Sequence, residues 1–170
     1  EIGGEDPQDR ITRAFQTLVD KVYVSLTVLR GAVYTEADIA KAANAERSLL
    51  TGDNAGLTEA EQDVLNHVQG QARIGVKVSV KALKERFGTR PYGWPDPAIL
   101  TMVASLVSKA KLEARSDSTP LEGKALAMAL GNNAVLANVL LTPQVEFTPA
   151  QIRKSKDLYK DLFDTPSDSS

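Results

Sequence analysis

The side chains that could do chemistry are few. His67 lies one helical turn after Asp63, a spacing that could begin a metal site. However, it is the only histidine among 170 residues, and there is no cysteine. That excludes thiol catalysis, a disulfide framework, a thiolate zinc site and any multi-His centre. With no further ligand at hand, His67 reads as a surface histidine. Glu59 and Asp63, also one turn apart, could share acid–base work only where an apolar pocket separated their pKa values. Their polar surroundings read instead as a solvated helix face. No G-x-x-x-x-G-K-[ST] phosphate loop occurs: Gly123-Lys124 is followed by Ala125 and has Ser118 where the loop needs glycine. The expectation is a chain without catalytic residues, metal or cofactor of its own.

Charge offers a second kind of chemistry. Lys+Arg 20 against Asp+Glu 22 leaves a formal charge of −2, so no global field steers the molecule. The division is uneven. Residues 1–70 carry −6, residues 71–115 carry +6 and the remainder −2. Lys77, Lys81, Lys84, Arg86, Arg90, Lys111 and Arg115 of the middle stretch form a candidate set for double-stranded DNA, since such side chains displace counterions from phosphates. The competing readings are an ordinary solvated face, or attraction to the acidic N-terminal part. A second candidate is Pro91, Tyr92, Gly93 and Trp94, where the lone Trp either anchors a partner or closes a core. Core closure is the commoner role.

These residues depend on elements whose starts are plainly written. Asp6-Pro7 joins a cap residue to proline at the first helical position. Ile11, Phe15, Leu18, Val22, Leu26 and Leu29 then predict one long helix, its stripe facing a core, ended by Gly31. Thr35 with Asp38, and Thr58 with Glu61, read as capping boxes; the second helix carries Val64, Leu65 and Val68 toward Gly70. Residues 51–56 read as a loop. Val76–Val78 alternates briefly, and Ser79 caps a helix through Leu83 to Phe87. Gly88 stops it, and Thr89 to Pro95 forms a tight connection. Asp96-Pro97 opens another helix, ending near Lys109. Residues 111–115 alternate as a strand before a turn at 116–118. Strand, helix, turn, helix, strand and turn make the order of a winged helix. A helix over 123–130, an extended stretch over 139–147 and a helix launched by Thr148-Pro149, carrying Ile152, Leu158, Tyr159, Leu162 and Phe163, close the chain.

In that winged helix the recognition position falls to an apolar element. Ile99, Leu100, Met102, Val103, Leu106 and Val107 leave only Thr101, Ser105 and Ser108 as a polar stripe, so burial nearly all round is expected. Base readout needs long polar side chains pointing outward. DNA would then be held by its phosphates alone.

The fold class expected is mainly α with a small β part (α+β). A helical region spans 1–75, a winged-helix-like region with a C-terminal helix spans 76–164, and 165–170 is a disordered tail. The uncharged run from Ala125 to Val145 is long enough to span a bilayer, but Gly131-Asn132-Asn133, Asn138 and Pro143-Gln144 make it buried core. The first residues are acidic where a secretory leader is basic, and they read as the cut end of a longer protein or as an added scar.

The segment Phe87-Gly88-Thr89-Arg90-Pro91-Tyr92-Gly93-Trp94, continued by Asp96, Ile99, Leu100, Val103, Leu106 and Lys111-Leu112-Glu113, resembles part of the BrxC/PglY family. These are large P-loop ATPases of bacterial BREX phage-defence systems. Leu18-Val19, Val22-Tyr23, Leu26 and Thr35-Glu36-Ala37-Asp38-Ile39 resemble it too, as does the Thr148-Pro149 start. The resemblance implies a cytoplasmic defence ATPase as parent, with ATP and Mg handled there, and a fragment that lacks the nucleotide-binding motifs. It implies a non-catalytic interaction domain that docks other domains of the parent or BREX subunits and touches DNA backbone, with no membrane contact. The alternative is a stand-alone winged-helix DNA-binding regulator.

Overall fold

The structure, a computed structural model, describes residues 6–45 and 56–144. The expected closing helix, the tail and most of the 51–56 loop lie outside these residues. Helix α1, Pro7–Val22, begins as read: Asp6 is its N-cap and its carboxylate accepts from the Gln8 N–H at 3.2 Å. It stops earlier than expected. The chain breaks at Tyr23 and resumes as a 3-10 turn, Leu26–Leu29. No residue of α1 is buried, so its stripe does not face the core; only Leu29, beyond the break, is buried there. The periodicity is there, but among the described residues nothing covers the stripe.

Helix α2, Glu36–Ala43, and helix α3, Glu59–Arg73, both start with the expected reciprocal boxes. Helix α3 runs on through Gly70. That residue costs about 1 kcal/mol of propensity, and the buried line Ala60, Val64, Leu65 and Val68 holds the helix nonetheless. Strand β1 is only Val78–Ser79. Ser79 then caps helix α4, Val80–Gly88, through the Ala82 N–H. Helix α5, Asp96–Ser108, takes Pro95 as its N-cap, so Asp96 lies inside the first turn, where it still faces the positive end of the dipole. Strand β2, Leu112–Ser116, turns at Asp117 and Ser118 into β3, Thr119–Pro120. Both turn residues have positive φ, as two-residue hairpins with primed turns require. Helix α6, Gly123–Leu130, and strand β4, Val139–Pro143, complete the described fold.

The class is α+β. One sheet has the order β1-β4-β2-β3, antiparallel throughout. Strand β4 therefore enters between β1 and β2, pairing Leu141 with both Val78 and Ala114. Its alternation puts Val139 and Leu141 inside with Leu112 and Ala114, and that face packs on the helices. One continuous core runs from Leu29 through the α3, α4 and α5 residues to Leu141. Among the described residues no helix is long and apolar enough to cross a membrane.

Candidate interaction site

Helix α5 stands in the recognition position and is closed off. Nine of its thirteen residues are buried, and α2, α3, α4 and α6 all pack against it. Even Thr101 is buried, and its Oγ1 has no hydrogen-bond partner. Asp96 in the first turn is its only exposed polar side chain, and it is paired with Lys84 at 2.7 Å, so the helix offers little to base edges.

Its far end is tied by a contact between residues that sequence spacing treats separately. Glu61, 3% exposed, lies opposite the last turn of α5. Lys109 Nζ approaches its two carboxylate oxygens at 2.7 and 2.8 Å, Ser105 Oγ donates at 2.5 Å, and the Thr58 N–H donates at 2.7 Å. Burial pushes the Glu61 carboxyl up, but Lys109, Ser105 and Thr58 outweigh it and hold the group below the ordinary range. The capping-box reading accounts for Thr58 alone. The long-range partners left no local signal, because Lys109 is 48 positions away.

The Pro-Tyr-Gly-Trp segment closes the core and grips the N-terminal part. Trp94 is 2% exposed and stacks on Phe87 at 4.9 Å, with Tyr92 edge-on to both rings. Trp94 Nε1 donates to the Ser25 carbonyl at 3.0 Å, while the Ser25 N–H donates to the Pro91 carbonyl at 3.1 Å. Gly93 has φ +64, and a Cβ there would meet the Tyr23 ring at 2.5 Å. Two hydrogen bonds and a ring thus fix the point where α1 leaves the domain.

Three of the seven cations in the candidate set are paired with carboxylates. Lys81 pairs with Glu85 at 4.0 Å, Lys84 with Asp96 at 2.7 Å, and Arg115 with Glu113 at 2.8 Å. Lys84 also donates to Asn133 Oδ1 at 2.8 Å and is largely covered. All three acids of residues 71–115 are thus taken by cations of the same stretch. Lys111 is half-buried in a cleft with Leu57, Leu65 and Gln144. Lys77, Arg86 and Arg90 are exposed and hold no ion pair among the described residues. Arg86 lies 6.0 Å over the Phe87 ring, and Lys77 shares a shallow concavity of about 400 Å³ with Arg115, Asp117, Ser118 and Asn138.

His67 is not simply a surface residue. It is half-buried, edge-on to Phe87 at 5.9 Å. Burial, then Arg86, lower its pKa, so it stays neutral near pH 7. Burial, then Glu59, raise that of Asp63. Among the described residues no group of three or more His, Asp and Glu side chains could hold a metal ion.

Over residues 25–140 the chain matches the family model described as the BREX ATP-binding protein BrxC winged helix-turn-helix domain. No solved structure matches it. The matched stretch begins at the Ser25 anchor of the Pro-Tyr-Gly-Trp segment and ends within β4, so it takes in the closed α5 and the β2–β3 hairpin. With more than half of its length so matched, the chain belongs to the BrxC winged helix-turn-helix domain family.

Proposed function

We propose that this domain is a non-catalytic interaction module of a BREX phage-defence ATPase. It docks other domains of that cytoplasmic protein or BREX subunits, and it meets duplex DNA through the sugar–phosphate backbone only. The ATP and Mg of the parent protein are bound elsewhere than on this chain. The observation that carries the reading is the enclosure of α5 by four helices: the element that reads bases in other winged helices exposes only one polar side chain here, Asp96 in its first turn, and Lys84 already pairs with it. The internal pairing of Lys81, Lys84 and Arg115 supports the same view, because cations already matched to carboxylates release few counterions on meeting DNA.

Two measurements test it. Titration of unrelated duplexes at low salt should give equal, weak affinities with a shallow salt dependence. A tenfold preference for one sequence would instead mark a stand-alone regulator. Mixing the chain with the separately expressed remainder of the parent protein should give a one-to-one complex by light scattering. Failure to associate at micromolar concentration would sink the docking role.

A further inference from the structure

Helix α1 has no buried residue, and from Pro7 to Leu18 every position is exposed. Ile11, Phe15 and Leu18 are 70, 66 and 57% open. Such a helix does not hold itself. Sixteen residues that include the β-branched Ile11, Thr12, Thr17, Val19 and Val22 are marginal in water without tertiary packing. Its C-terminal end is nonetheless fixed to the domain, because Trp94 and Pro91 bracket Ser25 and the Tyr23 ring lies on Gly93.

The shape of the stripe points to the kind of surface that covers it. At about 100° per residue, Ile11, Phe15, Leu18 and Val22 share one line, flanked by Ala14 on one side and by Val19 and Thr12 on the other. No charge falls in this sector, which is about 160° wide from Ala14 to Thr12. Asp9, Arg10, Arg13 and Asp20 lie on the other side, with Lys21 at the border. A two-stranded coiled coil needs only a narrower seam and sets its pairing with charges beside it. A sector this wide takes two neighbouring helices to cover it.

Area also argues against a second copy as the occupant. With about 200 Å² for each large side chain when fully open, the three offer roughly 400 Å². Two copies of α1 face to face would bury roughly 800 Å², under the ~1,000 Å² of a specific interface. The family-matched region, moreover, starts at residue 25. Helix α1 therefore stands outside the winged helix-turn-helix domain proper, while that domain grips its end.

We propose that α1 is the docking helix of this chain. It fills the groove between two helices of another part of the parent protein, whose facing side chains are apolar and whose rims are uncharged apart from a carboxylate opposite Lys21. This rests on the docking role proposed above and names its surface. The bracket at Ser25 then sets the orientation in which the domain is carried.

Hydrogen exchange of the whole parent protein, compared with this chain alone, tests it. The α1 amides should exchange freely in the isolated chain and at least a hundredfold more slowly in the parent. Phe15→Ser with Leu18→Ser in the parent should return them to the isolated rate while leaving those of Leu83, Leu106 and Leu141 unchanged. Protection of α1 already present in the isolated chain overturns the proposal; if that chain is then a dimer by light scattering, the occupant is a second copy. Protection in the parent that survives the double substitution overturns it too. Mixing the chain with the separately expressed remainder reads the docking role apart from this one. A complex that forms while α1 stays unprotected sinks the inference and spares the docking role, whereas no complex and no protection sinks both.

Discussion

At the scale of single residues, the Glu61 cluster is the most demanding arrangement in the molecule. A carboxylate 3% exposed would be a liability alone, and two hydrogen-bonded oxygens with a lysine opposite make it tolerable. Lys109→Met strands that charge and should cost about 2 kcal/mol in urea unfolding, less than a wholly buried pair because Lys109 keeps some solvent. The pH dependence has a definite sign. Glu61 is held below its ordinary value of 4.5, so the stabilisation is complete above that value and is lost as pH falls through the lower folded-state value. In the Met variant burial acts without the lysine and favours the protonated form. The stability gap between the two proteins should therefore narrow from pH 7 to pH 3; a gap that widens would mean the pair is not what stabilises the contact.

At the scale of elements, most starts and stops could be read without coordinates, because caps, prolines and glycines act within four residues. Thr35–Asp38, Thr58–Glu61 and Ser79 all cap as their types demand. What periodicity could not supply was the identity of the covering partner. The stripe of α1 looks like that of α3, yet one is open and the other buried. The charge of residues 71–115 was equally ambiguous, since its sum does not reveal that Glu85, Asp96 and Glu113 sit beside its own cations. The junction of α1 with the domain depends on Gly93. Gly93→Ala imposes a left-handed conformation on a β-carbon, about 1–2 kcal/mol, and drives that carbon into the Tyr23 ring. We expect a lower melting temperature and a red shift in the emission of Trp94, the only tryptophan in the chain. Unchanged emission would mean that Tyr23 moves aside without disturbing the bracket around Ser25.

At the scale of the whole molecule, the proposed docking role rests on a sealed α5, on three cations of the middle stretch paired within it and on an N-terminal helix gripped at one end. The sheet order adds something about how such a domain comes into being. Strand β4 is the last described element along the chain, yet it is the inner strand that joins β1 to β2. As the protein is synthesised, β1 and β2 must wait with unsatisfied backbone edges until residues 139–143 arrive, a span in which they are open to pairing with other chains. A chain ended at Asn138 should accordingly precipitate or scatter light at concentrations where the complete one stays clear. Nascent copies that stall just short of the central strand would then be the form most in need of a chaperone.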